Sequence, residues 1–320
     1  MTDDLNFDGG LSNLDRAAWL AQLEKVSLDH GVFETLGTQH MASYVEDGSA
    51  LIVTFETATS IRKTNPREEP RGWSFVRDSG WSALTIVATA DTWFRDPEVY
   101  AYFDRLIDGG FFDKFEEILF YGIGQGGYAA AAFSVSAPGA RVLALQPQAT
   151  LDPRLTGWDT RFMAQRRLSF TDRFGFAPDM IEAAEQAVIV YDPQNKLDAM
   201  HAALFRRDNA LILRAPRLSA RIDRDFDQMN LMEDLIEATM EGAMNDKVWS
   251  RLWRARQKHL PYLRTTLLKL EKAERHALAA RLCHQVLRWT NRPMFQRKLD
   301  EWASEGLIDR SEPRLAEPAE

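Results

Sequence analysis

One stretch of this chain has residue types and spacing that point to chemistry: Leu119-Phe120-Tyr121-Gly122-Ile123-Gly124-Gln125-Gly126-Gly127-Tyr128-Ala129-Ala130-Ala131. A strand-like apolar run ends, glycines follow, and small helix-forming residues begin. Three readings compete. Gly122, Gly124 and Gly127 fit the G-x-G-x-x-G turn that brings a nucleotide pyrophosphate onto a helix N-terminus. That turn calls for an acid at the end of the next strand, to hold ribose hydroxyls. Gln146-Pro147-Gln148 stands there instead, and a glutamine can still bond a ribose. The same residues fit the G-x-S-x-G elbow, a strained turn that lifts a nucleophile above a sheet, with Gly124 in the serine position. In the third reading the glycines only let strand and helix pack closely.

Other groups could serve such a site. None of the six histidines makes a metal-binding H-E-x-x-H pair. His201 follows Asp198 by one helical turn, so it reads as a substitute base or as a ring tied to that carboxylate or to a backbone carbonyl. Arg161, Arg166 and Arg167 form a basic cluster that would grip an anion or pair with local acids. Cys283 is the only cysteine, which excludes an internal disulfide and a zinc–cysteine cluster.

The elements that position these residues are legible as continuous apolar runs at 50–55, 84–88, 118–121, 141–145, 187–191 and 210–213. Runs without polar alternation suit strands covered on both faces. Helical stretches lie between most of them, one opened by Asp96 and Pro97 as cap and first residue. The alternation predicts an α/β fold with a mostly parallel, doubly wound sheet. Ligands bind such sheets at the strand C-termini. That edge should gather Glu56, Thr57, Trp93, Phe94, Gly124, Gln125, Gln146, Gln148 and Asp192, a set of amides, carboxylates and aromatics suited to a polar, sugar-like ligand.

Here a resemblance becomes specific. Residues 121–130 resemble the Y-G-x-S-x-G-G-Y-A-A elbow of α/β-hydrolase-like proteins associated with polysaccharide biosynthesis. Leu145-Gln146-Pro147-Gln148 is similar to their s-P-Q loop. Tyr191-Asp192-Pro193, with Asp198 and His201, resembles y-D-P-x-x-x-x-D-x-x-H. The likeness spans roughly 49–240 and implies an α/β-hydrolase fold. It sets Gly124, Asp192 and Ala220 at the nucleophile, acid and histidine positions, the last in Pro216-Arg217-Leu218-Ser219-Ala220. Two of these three lack the required group, so the resemblance implies the fold and speaks against its usual catalysis.

Asp and Glu number 47 and Lys and Arg 39, a formal charge of −8 that disfavours nucleic acid and anionic membranes as partners. No run nears 18 apolar residues, which predicts no membrane insertion. The acidic start, Met1-Thr2-Asp3-Asp4-Leu5, reads as no signal peptide, so the expected setting is cytoplasmic. The expected organisation is a helical segment at 1–45, an α/β-hydrolase-like domain at 46–240, a helical appendage at 241–308 and a flexible tail at 309–320. Trp249, Trp253, Leu260, Leu263 and Leu267 should pack on the α/β domain or on a partner. The expected function is a catalytically degenerate hydrolase homologue without a cofactor, binding a small polar ligand (glycan- or acyl-like) or a protein partner. An active esterase with a nonstandard nucleophile, such as Asp192 or a bound water, and a nucleotide-binding oxidoreductase are the alternatives. The sequence leaves the oligomeric state open.

Overall fold

The computed structural model describes residues 9–218 and 221–308. All six apolar runs are strands: β3 (Ala50–Thr57), β4 (Ser82–Ala88), β5 (Glu117–Ile123), β6 (Arg141–Leu145), β7 (Gln186–Tyr191) and β8 (Ala210–Arg214). Two more precede them, β1 (Gly31–Leu36) and β2 (His40–Val45). The eight form one sheet in the order β1-β2-β4-β3-β5-β6-β7-β8. β2 is antiparallel to both β1 and β4, and every other pairing is parallel.

The strands β1 and β2 correct the expectation of a purely helical segment at 1–45. The helix is α1 (Arg16–His30), capped by Asp15. It runs directly into β1 at Gly31, where a Cβ would stand 2.3 Å from the Tyr44 carbonyl oxygen. Gly37, at φ 63°, then turns the chain into β2. The hairpin lacked a clear sequence signal because β2 buries polar groups by pairing them. Ser43 bonds Ser27 at 2.7 Å, and His40 bonds Thr92 at 2.6 Å.

The remaining helices are α2 (Ala58–Thr64), α3 (Gly72–Ser79), α4 (Pro97–Asp108), α5 (Gln125–Phe133), α6 (Pro153–Thr156), α7 (Ala177–Met180), α8 (Lys196–Leu204), α9 (Ile222–Gln228), α10 (Met232–Met240), α11 (Asp246–Leu252), α12 (Leu260–Lys272), α13 (His276–Leu287) and α14 (Pro293–Ser304). Against one sheet face, Phe55 of β3 stacks on Phe103 of α4 at 5.9 Å and on Phe133 of α5 at 5.4 Å. Burying each such ring stabilises by about 2 kcal/mol or more. These contacts fix α5, and with it the glycine turn, over the sheet.

The chain divides into two compact units, Met1–Pro216 with Arg221–Trp253, and Arg217–Ala220 with Arg254–Glu320. The boundary falls after Trp253 rather than near 240. Trp249 and Trp253 stack at 5.3 Å and both rings meet Phe226 of α9, which ties α11 to the first unit. In the second unit α13 packs on α12 and α14, burying Leu267, Cys283, Val286, Phe295 and Trp302. There Arg217 donates to the Tyr262 hydroxyl at 3.0 Å. Residues 309–320, expected to be a tail, lie outside the described residues.

Candidate functional site at the strand C-termini

The glycine turn joins β5 to α5, and its four glycines do different work. A Cβ on Gly122 would stand 2.1 Å from the Gly126 carbonyl oxygen, and one on Gly126 would stand 2.1 Å from that of Phe55. One on Gly127 would lie 3.1 Å from the carbonyl oxygens of Gly122 and Leu145. These three glycines let the helix start almost in contact with the strands. Gly124 is unlike them. Its backbone sits at φ 57° and ψ −119°, a region side chains rarely enter, yet its Cβ position has no atom within 4 Å. Packing therefore accounts for three glycines, and a strained turn over open space accounts for the fourth.

Adjacent strands end in step around this elbow. The Gly124 N–H donates to the Leu145 carbonyl at 2.9 Å, that of Gln146 to Val190 at 2.7 Å, and that of Ala215 to Tyr191 at 2.8 Å. Gly124, Gln146 and Asp192 thus stand on one edge, as the elbow reading requires. The chain leaves β3 toward β4 on one side and returns as β5 on the other, so the sheet order reverses between β3 and β5. Ligands bind open α/β sheets at such a reversal, here flanked by Thr57 and Gly124.

Several expected ligand groups are committed to the protein. The Gln125 amide accepts the Trp93 N–H at 3.1 Å and donates to Asp91 at 2.8 Å, pinning the loop after β4 to the elbow. Trp93, expected to offer a stacking face, is instead 2% exposed and enclosed by Tyr128, Phe162 and Phe170. An indole has more apolar surface than polar, so enclosure is the favourable outcome. Gln146 directs its amide to Asp198 at 3.5 Å. Gln148 is buried and donates to the Gln146 carbonyl at 3.2 Å, while its own amide oxygen has no partner among the described residues. Asp192 is largely buried at the end of β7 and accepts the Gln194 N–H at 2.8 Å.

His201 has both ring nitrogens engaged within the protein. Its Nδ1 accepts the Ala149 N–H at 3.1 Å, which leaves the ring proton on Nε2 to donate to Asp159 at 3.0 Å. The ring is wholly buried, and burial lowers its pKa to about 4 despite the carboxylate beside it. Burial pushes the Asp159 carboxyl up, but hydrogen bonds from Arg161 and His201 override it and hold it at about 2. Asp198, expected beside His201, accepts from Arg161 at 2.6 Å and from Asn195 at 2.7 Å. Arg161 thereby joins Asp159 to Asp198, and Arg166 donates to the carbonyls of Thr156, Gly157 and Asp159. Of the two readings of the arginine cluster, Arg161 follows the pairing with local acids, while Arg166 braces backbone carbonyls. Asp91 and Asp159 went unrecognised in the sequence because Gln125 and His201, which they meet, lie 34 and 42 residues away. Ala220 lies outside the described residues.

A cavity of about 480 Å³ opens at the same edge, lined by Thr57, Ser60, Lys63, Asp91, Arg221 and Asp223 among others. It meets the elbow through the bond between Asp91 and Gln125. Beneath it Glu56 accepts the Arg71 N–H and the Thr54 hydroxyl, both at 2.9 Å, and burial raises its pKa. Among the described residues no group of three or more His, Cys, Asp or Glu could hold a metal, and no helix is long and apolar enough to cross a membrane.

The mostly parallel eight-stranded sheet, with helices between most of its strands, is a doubly wound α/β architecture. No protein-family profile and no curated protein matches the sequence. Solved structures similar to it include carboxyl esterase 2 from Tuber melanosporum, at 14% identity and TM-score 0.43, over 67% of this chain and 84% of that one. The esterase from Pyrobaculum calidifontis is 16% identical at TM-score 0.43, over 78% of this chain and 95% of that one. Est1E from Butyrivibrio proteoclasticus is 13% identical at TM-score 0.43, over 66% and 95%. At such values the assignment of fold rests on the sheet order.

Proposed function

We propose that this protein is a hydrolase-fold protein without serine catalysis, which uses the strand C-terminal edge to bind a small polar ligand. The observation that carries this reading is Gly124: a strained elbow held over open space, at the one position where the architecture would present a nucleophile, and with no side chain to present. The surroundings agree. His201 is locked between a backbone N–H and Asp159, and Ala220 offers no imidazole in the loop where the resemblance sets the histidine. The adjoining cavity is lined by hydroxyls, carboxylates and cations, which favours hydrogen-bonded over acyl-chain ligands. Its lone, buried cysteine is compatible with a reducing, cytoplasmic setting.

The test pairs the native chain with Gly124→Ser. Incubated with a fluorophosphonate probe and a short p-nitrophenyl ester, the native chain should take up no label and hydrolyse the ester at the buffer rate. The added hydroxyl should remain a poor nucleophile without a base. A thermal-shift screen with neutral and charged saccharides should find a ligand, since binding at 100 times its Kd stabilises by about 2.7 kcal/mol. A stoichiometric adduct on the native chain, or ester turnover abolished by Asp192→Ala, would instead establish an active hydrolase.

A further inference from the structure

A second cleft, of about 740 Å³, shares Lys63 and Arg221 with the cavity beside the elbow and extends away from it between α2, α3, α9 and α10. Its walls hold six cations, Lys63, Arg67, Arg71, Arg77, Arg221 and Arg224, against three carboxylates, Asp78, Asp227 and Glu233. That is a local excess of positive charge in a chain of net charge −8. Three of the cations are occupied. Arg71 pairs with Asp227 at 2.8 Å, Arg77 with Glu69 at 2.9 Å, and Arg221 with Asp223 at 2.9 Å. The other three, Lys63, Arg67 and Arg224, are exposed and form no ion pair among the described residues. The chain therefore leaves cations uncompensated around a concavity, where the low-dielectric walls strengthen attraction to an anion.

The same walls supply uncommitted groups for hydroxyls. The exposed amides of Gln228 and Asn230 line the cleft and have no side-chain hydrogen bond among the described residues. Asp227, which also lines it, is spent on Arg71, and its Oδ1 is buried. Cations alone would suit any anion. Cations beside two amides suit an anion that also carries hydroxyl groups. The volume lies within the usual range for small-molecule sites.

We propose that this cleft binds a small polyhydroxylated anion, a phosphorylated or carboxylated sugar, with Lys63, Arg67 and Arg224 on its charges and Gln228 and Asn230 on its hydroxyls. The inference does not depend on how the elbow is read. Its test is calorimetric and thermal-shift titration of the full chain with fructose 1,6-bisphosphate, digalacturonate, maltose and sodium sulfate at matched ionic strength. At least one anionic sugar should bind and raise the melting midpoint, and which of the two binds separates phosphate from carboxylate recognition. Maltose and sulfate should do neither. The triple variant K63E/R67E/R224E should bind at least about tenfold more weakly, because each change removes a charge-assisted contact. Arg224→Gln alone should weaken binding less. The variant's circular dichroism and ligand-free midpoint establish that it folds, and if it does not, Arg224→Gln and Lys63→Gln carry the comparison. Absence of binding by both anionic sugars, an equal response to sulfate, or undiminished binding by the folded variants would overturn the proposal.

Discussion

Acid should destabilise this protein through His201, by an amount the structure sets. The folded ring is neutral, with a pKa of about 4, because it is wholly buried and its Nδ1 accepts the Ala149 N–H. In the unfolded chain the same ring titrates near 6.5. The folded value is the lower one, so the unfolded state takes up the proton first. Stability is therefore full above about pH 6.5 and falls as the pH drops toward 4. Between pH 7.5 and 4.5 the loss from this residue is about 2.5 kcal/mol, at about 1.4 kcal/mol per pK unit. Asp198, Asp227 and Glu56 have raised pKa values from burial and act in the opposite sense, so the total slope mixes several groups. His201→Gln isolates the histidine. Its amide oxygen can accept from Ala149 and its amide nitrogen can donate to Asp159, but it does not titrate. The variant gives up the ring contact with Trp158, whose centroid lies 4.6 Å away, and should be the less stable protein at pH 7.5. Urea unfolding of both proteins at pH 7.5, 6.0, 5.0 and 4.5 should show that deficit shrinking by about 2.5 kcal/mol as the pH falls. A deficit that stays constant within about 0.5 kcal/mol would refute the buried, neutral histidine.

Two further outcomes test the elbow and the second unit. Gly122→Ala places its Cβ against the backbone of Gly126 and should cost about 3 kcal/mol or more, whereas Gly124→Ala enters open space and should cost only about 1–2 kcal/mol of backbone strain. Thermal midpoints in the reverse order would sink the division between packing glycines and elbow glycine. Cys283 is buried, and burial raises its thiol to about 12, so a disulfide reagent at pH 8 should modify it only after denaturation. Prompt reaction of the native chain would contradict the packing of α12, α13 and α14.

Much of the architecture is written locally. Six strands were legible because a strand covered on both faces must be apolar at every position, and that pattern stands in consecutive residues. The glycine turn was legible for a similar reason, since close packing of strand and helix leaves room for little but glycine. β1 and β2 were not, because they reach the sheet by pairing, with Ser43 and His40 made acceptable in the interior by Ser27 and Thr92. The division of labour among the glycines was equally hidden: the atoms that crowd Gly126 belong to Phe55, and those missing around Gly124 are absent from the whole neighbourhood. His201 shows the same limit most plainly. One helical turn suggested Asp198, but folding supplied Asp159 and the Ala149 N–H from the segment that follows β6, and Arg161 took Asp198. Helical and strand periods are short-range properties, readable within a few residues. Which buried polar group meets which is settled when distant segments are brought together and each must find a partner in the low-dielectric interior.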